Sequence, residues 1–135
     1  MDLESALRGV GAIQIVVSGA NAVLPGKLRY GEELSRVSPI IRQIFYVHHI
    51  YIAGTVLALG LVCLLAPEWL LGRDAASVAM RLFIAVFWTA RIPIQIFYYD
   101  PAVKQENRAL SGLFLLALSC VSITAWTAVW FGGTR

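Results

Sequence analysis

The chain has 135 residues, of which 59% are hydrophobic and 14% are charged, and its formal net charge is +3. A soluble domain carries about 25% charged residues, so this chain has too little polar surface to face water on all sides. The small net charge and the scattered basic residues give no nucleic-acid signature. Lipid is therefore the expected solvent and the bilayer the first expected partner.

Four apolar segments follow one another along the chain, and short polar connections separate them. We predict helices over residues 7–24, 44–66, 79–99 and 110–131. Each approaches or reaches the roughly 20 residues that cross the hydrocarbon core as a helix. Short connections favour antiparallel neighbours. The expected fold is all-α, a single integral membrane four-helix bundle with up-down-up-down topology.

The first segment is the most polar of the four, because it is rich in glycine and contains Gln14, Ser18 and Asn21. These residues suit burial against the other helices better than exposure to lipid. Pro25 and Gly26 are expected to end this helix, since proline interrupts the hydrogen bonds of a helix interior. In the second segment, Gly54 and Ala58 form a small-x-x-x-small pair of the kind that lets membrane helices approach closely.

The distribution of Lys and Arg predicts the orientation of the chain in the membrane. Loops one and three carry Lys27, Arg29, Arg36, Arg42, Lys104 and Arg108, and the opposite side carries Arg8, Arg73, Arg81 and Arg135. Because basic loops stay in the cytoplasm, this bias of six to four places both termini outside the cytoplasm. The expected location is a bacterial inner membrane.

Arg91 is the most informative residue, because it lies near the middle of the third apolar segment, where a charge costs several kcal/mol. At helical spacing Trp88, Gln95 and Tyr98 share its face. We predict that this polar and aromatic stripe faces the bundle or a wet cavity. A guanidinium there suits a lipid phosphate or a carboxylate. The alternative is that Arg91 reaches toward the interface with its stem packed on Trp88.

Other polar residues fall at a similar depth on the first two helices. His48 and His49 lie six to seven residues beyond Arg42, and Asn21 lies four residues before Pro25. At about 1.5 Å per residue, these groups gather in the leaflet that contains loops one and three. They predict a ligand-binding cavity in that leaflet. The alternative is that the histidines hydrogen-bond across helices.

Several kinds of site fit the sequence poorly. Haem needs two axial ligands, and the adjacent histidines could bind it only with a second ligand from another chain. A metal site lacks three visible ligands, so none is expected. A transporter would need a polar path through both leaflets, and the outer halves of the segments are apolar.

The opening helix resembles that of the DoxX-like small four-helix membrane proteins of bacteria. The resemblance covers about twenty residues and rests on Leu7, Arg8, Gly11, Gly19, Pro25 and Leu28. It implies a compact four-helix fold and, in some relatives, an accessory role beside quinone-linked oxidoreductases. No role for the histidines or Arg91 comes from the resemblance.

Two functional hypotheses follow. The first is a non-enzymatic accessory subunit or ligand-binding module that holds a lipid or quinone headgroup, or a side chain of another membrane subunit or of a second copy. Its binding residues would be Arg91, Gln95, Trp88, Tyr98, His48, His49 and Asn21. The second is a small membrane enzyme that acts on an amphipathic substrate, with His48 or His49 as the catalytic acid or base beside Arg91.

Overall fold

The computed structural model describes residues 2–98, 101, 105 and 108–133. Four long helices dominate: α1 (Leu3–Lys27), α2 (Pro39–Leu65), α3 (Ala75–Tyr98) and α4 (Arg108–Phe131). All four are long and apolar enough to cross a membrane. The described residues contain no strand. The predicted all-α integral membrane four-helix bundle is confirmed.

The ends of the helices follow local sequence signals. Ser38 precedes Pro39, which suits the first turn of α2 because proline has no N–H to leave unpaired there. Asp2 and Asp74 cap α1 and α3 by accepting hydrogen bonds from the backbone N–H groups of Ser5 and Ser77. The predicted third helix included Tyr99, which lies outside the described residues.

The expectation that Pro25 and Gly26 end α1 is wrong, because the helix continues through both residues to Lys27. Proline cannot donate to the carbonyl four residues earlier, which is that of Asn21. The ring of His49 on α2 supplies the missing donor, with its Nε2 2.9 Å from the Asn21 carbonyl oxygen. The helix can therefore cross this point in the membrane without leaving the carbonyl unpaired.

The helices pack in a definite order: α1 lies against α2 and α4, and α3 lies against α4. The inner face of α1 is a line of residues at spacings of three and four, namely Leu7, Val10, Gly11, Gln14 and Ser18. The backbones of α1 and α2 touch at two glycines. A Cβ on Gly11 would lie 2.8 Å from the carbonyl oxygen of Gly60. This contact holds the two helices closer than larger side chains allow.

The bundle has two ends with different connections. The first-loop end contains the helix termini Lys27, Pro39, Tyr98 and Arg108. There, two short helical turns, Tyr30–Glu33 and Leu34–Arg36, join α1 to α2. The opposite end, which we call the arginine end, contains the helix termini Leu3, Leu65, Ala75 and Phe131. There, the one-turn helix Pro67–Leu70 joins α2 to α3.

Candidate functional site

The centre of the bundle contains a buried polar network that joins three helices. Gln14 of α1 has no exposed surface, and its Oε1 accepts a hydrogen bond of 3.0 Å from Nε1 of Trp88 on α3. The Nε2 of Gln14 lies 3.5 Å from the sulfur of Cys63 on α2. Because the amide is bonded on both sides, these groups hold the helices together and are not available to a ligand.

At the arginine end, three arginines bond to backbone carbonyls at helix ends or just beyond them. Arg8 donates to the Leu64 carbonyl, which belongs to the last turn of α2, over 3.0 Å, and also pairs with Glu4. Arg73 donates to the Gly133 carbonyl, just beyond α4. A cation at the carboxyl end of a helix also interacts favourably with the helix dipole.

Arg81 is the most buried of the three, with 4% of its surface exposed. Its Nη1 donates to the carbonyl of Leu70 and, over 2.8 Å, to that of Gly72. Gly132, just after α4, lies so close that a Cβ there would be 2.7 Å from the same nitrogen. Arg81 therefore ties the α2–α3 connection to the ends of α3 and α4.

The connection at this end is also fixed by Asp74 and Ser77. The Ser77 hydroxyl donates to the carbonyl of Trp69 over 2.7 Å and is within hydrogen-bonding distance of the Asp74 carboxylate. Hydrogen bonds from the side chain and backbone of Ser77 lower the pKa of Asp74 below its ordinary value. The carboxylate therefore stays ionised, and continues to cap α3, in more acidic solution than an unpaired aspartate would.

The predicted site residues at the first-loop end occupy separate places. His49 bonds to the Asn21 carbonyl, and its ring packs edge-on against Tyr30 with centroids 5.9 Å apart. His48 is exposed and bonds through Nδ1 to the carbonyl of Ile44 in its own helix, over 2.9 Å. The two histidines therefore point to different surroundings, as adjacent helical residues do.

The stripe on α3 passes from the core to the surface as it approaches the first-loop end. Trp88 is buried, Arg91 and Gln95 are half-buried, and Tyr98 is 82% exposed. The Nε2 of Gln95 lies 3.5 Å from the hydroxyl of Ser111 on α4. The stripe thus forms a graded strip of polar and aromatic side chains beside α4, with one guanidinium part-way along it.

The backbone of α3 changes form along this stripe. Pro93 lies inside the helix, and residues Ile94–Tyr98 form a π-helix. Proline removes one helical hydrogen bond, and π-helical turns are frequent at functional sites. Arg91 therefore stands beside the point where the regular hydrogen bonding of α3 ends.

Sequence reasoning missed the roles of Arg81 and Gln14. The sequence uses Arg81 only as an orientation charge near the start of the predicted third helix, but α3 begins at Ala75, so Arg81 lies almost two turns inside it. The expected burial of Gln14 is confirmed, since it lies four residues before Ser18 and seven after Leu7 on the buried line of α1, but its bonds to Trp88 and Cys63 are not predicted. Helical spacing does not predict the hydrogen-bond partners of either residue, because those partners lie on other elements of the chain.

Neither a metal nor a relative identifies the site. Among the described residues, no group of three histidine, cysteine, aspartate or glutamate side chains could hold a metal ion. Comparisons with protein-family models, with curated proteins and with solved structures find no match. The resemblance of α1 to the DoxX-like group therefore rests only on the residues that carry it.

Proposed function

We propose that this integral membrane protein is a binding module, or an accessory subunit, that holds the anionic headgroup of an amphipathic ligand at the first-loop end. The ligand contacts would be Arg91, Gln95 and Tyr98 on α3, with the acyl or isoprenoid part of the ligand along the apolar helix surface. A lipid phosphate or carboxylate matches a guanidinium best.

The observation that supports this proposal is the graded exposure of the stripe on α3. Trp88 is buried, Arg91 and Gln95 are half-buried, and Tyr98 is exposed, so the polar side chains lead from the core to the surface at the first-loop end. Intramembrane charges commonly mark such sites.

The enzyme hypothesis receives less support from the same geometry. Each histidine uses one ring nitrogen on a backbone carbonyl, His48 within α2 and His49 across to α1. These bonds give both rings a structural explanation. No second group that could act as a nucleophile beside them emerges from the described contacts.

The test is the amount of lipid and quinone that remains bound through purification in mild detergent, measured by native mass spectrometry. We expect the wild-type protein to retain an anionic lipid and Arg91→Leu to lose most of it. Arg36→Leu is the matched control, since Arg36 is an exposed arginine of the first loop outside α3. Equal retention by Arg91→Leu and wild type would overturn the proposal. Retention of quinone alone would show that the ligand is a quinone and not an anionic lipid.

A further inference from the structure

The outer surface of α2 carries a stripe of residues whose spacing alternates between three and four. We call it the α2 outer stripe, and it consists of Ile41, Ile44, His48, Tyr51, Thr55 and Ala58. This alternation is the heptad spacing that packs one helix along another. The core contacts of α2 come from a different face, that of Val56, Leu59, Gly60 and Cys63.

Tyr51 is unusual for a residue that faces lipid. It lies twelve residues from Pro39 and fourteen from Leu65, which places it near the middle of α2, and it is 73% exposed. Tyrosine is normally enriched at the membrane interfaces. Among the described residues, no group accepts a hydrogen bond from its hydroxyl. A hydroxyl left unpaired in hydrocarbon costs free energy, and lipid chains offer no acceptor.

His48 lies one turn away on the same stripe and presents the complementary group. A carbonyl oxygen only accepts, so Nδ1 of His48 donates to the Ile44 carbonyl. In a neutral imidazole the other nitrogen, Nε2, is then an acceptor. Within the described part of the chain, the α2 outer stripe therefore presents an acceptor on His48 and a donor on Tyr51 that make no other hydrogen bond, separated by three residues.

When two copies of such a surface meet, the hydrogen-bond donor of each copy can bond to the acceptor of the other. We infer that the α2 outer stripe is the interface of a homodimer, in which Tyr51 of each copy donates to Nε2 of His48 in the other. A two-fold axis along the membrane normal forms this bond twice. Polar residues at such positions also fix the register of the paired helices.

The surface beside the stripe permits close approach. A Cβ on Gly54 would meet no atom within 4 Å, and Ala58 is small and exposed. The opposite flank of α2 differs, because its residue Ile50 is 67% exposed and has an apolar side chain that makes no hydrogen bond. That flank suits lipid, whereas the stripe combines small residues with a hydrogen-bonding pair.

Disulfide cross-linking in native membranes tests the interface. The background is Cys120→Ser, because Cys120 is exposed whereas Cys63 is buried. Ile44→Cys lies on the stripe, and Gln43→Cys is the control, because Gln43 is exposed at nearly the same depth but points about 100° away around the helix. We expect a covalent homodimer from Ile44→Cys at a yield at least about fivefold higher than from Gln43→Cys. Equal yields, or cross-linking of Ile44→Cys only to another protein, would overturn the homodimer.

A second measurement tests the hydrogen bond itself. Energy transfer between labelled copies in liposomes gives the dimerisation constant, and we expect Tyr51→Phe to lower it about tenfold, since two interhelical bonds are lost. Tyr46→Phe removes a hydroxyl from the same helix off the stripe and should leave the constant unchanged. Wild-type protein that stays monomeric at every protein-to-lipid ratio, or an unchanged constant in Tyr51→Phe, contradicts the inference.

Discussion

The two ends of the bundle use their polar residues in different ways. At the arginine end, Arg8, Arg73 and Arg81 all donate to backbone carbonyls at helix ends or in the connection between α2 and α3. At the first-loop end, the stripe from Trp88 to Tyr98 emerges gradually from the core. The comparison teaches that an arginine within an apolar segment can be enclosed in the core, as Arg81 is, or can lie half-buried on a strip that leads to the surface, as Arg91 does.

The largest effect is expected at the arginine end. Arg81→Leu leaves the carbonyls of Leu70 and Gly72 without a donor in a buried position. We expect the free energy of unfolding to fall by about 3 kcal/mol, measured by denaturant titration in detergent micelles. Arg8→Leu is the comparison: it also removes a donor to a carbonyl, that of Leu64, but the Arg8 side chain is 45% exposed, so water can replace the donor and a smaller loss is expected. Equal losses in the two variants would remove the special role of Arg81.

A smaller effect is expected at the centre, which separates the two ends. Gln14→Leu removes the acceptor of Trp88 and the donor to Cys63. We expect a loss of about 2 kcal/mol in the same titration. The exposed Gln43→Leu should change the stability by less than about 0.5 kcal/mol. A double variant with Trp88→Phe should show coupling between the two sites, and strict additivity would argue against the bond.

The smallest effect concerns the donor that His49 supplies to α1. His49→Phe should cost about 1 kcal/mol, because the Asn21 carbonyl then has no partner. Pro25→Ala restores a backbone N–H four residues after Asn21. In that background His49→Phe should cost clearly less, as measured by a double-variant cycle in detergent. The same cost in both backgrounds would mean that His49 does not serve this carbonyl.

The sequence predicts the fold well because apolar length and short polar connections are sufficient to define four membrane helices. It predicts the site less well. Depth along the helices predicts that His48, His49, Asn21 and Arg91 lie in one leaflet, but depth carries no information about the direction in which each side chain points. His49 bonds to α1 while His48 lies on the outer surface of α2. The direction of a side chain depends on how its helix is rotated about its own axis. That rotation is set by contacts between helices, such as the contact of Gly11 with Gly60.

The most direct test of the difference between the two ends compares Arg81→Leu with Arg91→Leu in two assays, unfolding free energy and lipid retention by native mass spectrometry. Different outcomes are expected for the two variants. Arg81→Leu should keep its bound anionic lipid under native conditions and lose stability, whereas Arg91→Leu should lose the lipid and, because Arg91 is less buried, lose less stability than Arg81→Leu in delipidated detergent. Loss of the lipid from Arg81→Leu, or retention of the lipid by Arg91→Leu, would contradict this expectation.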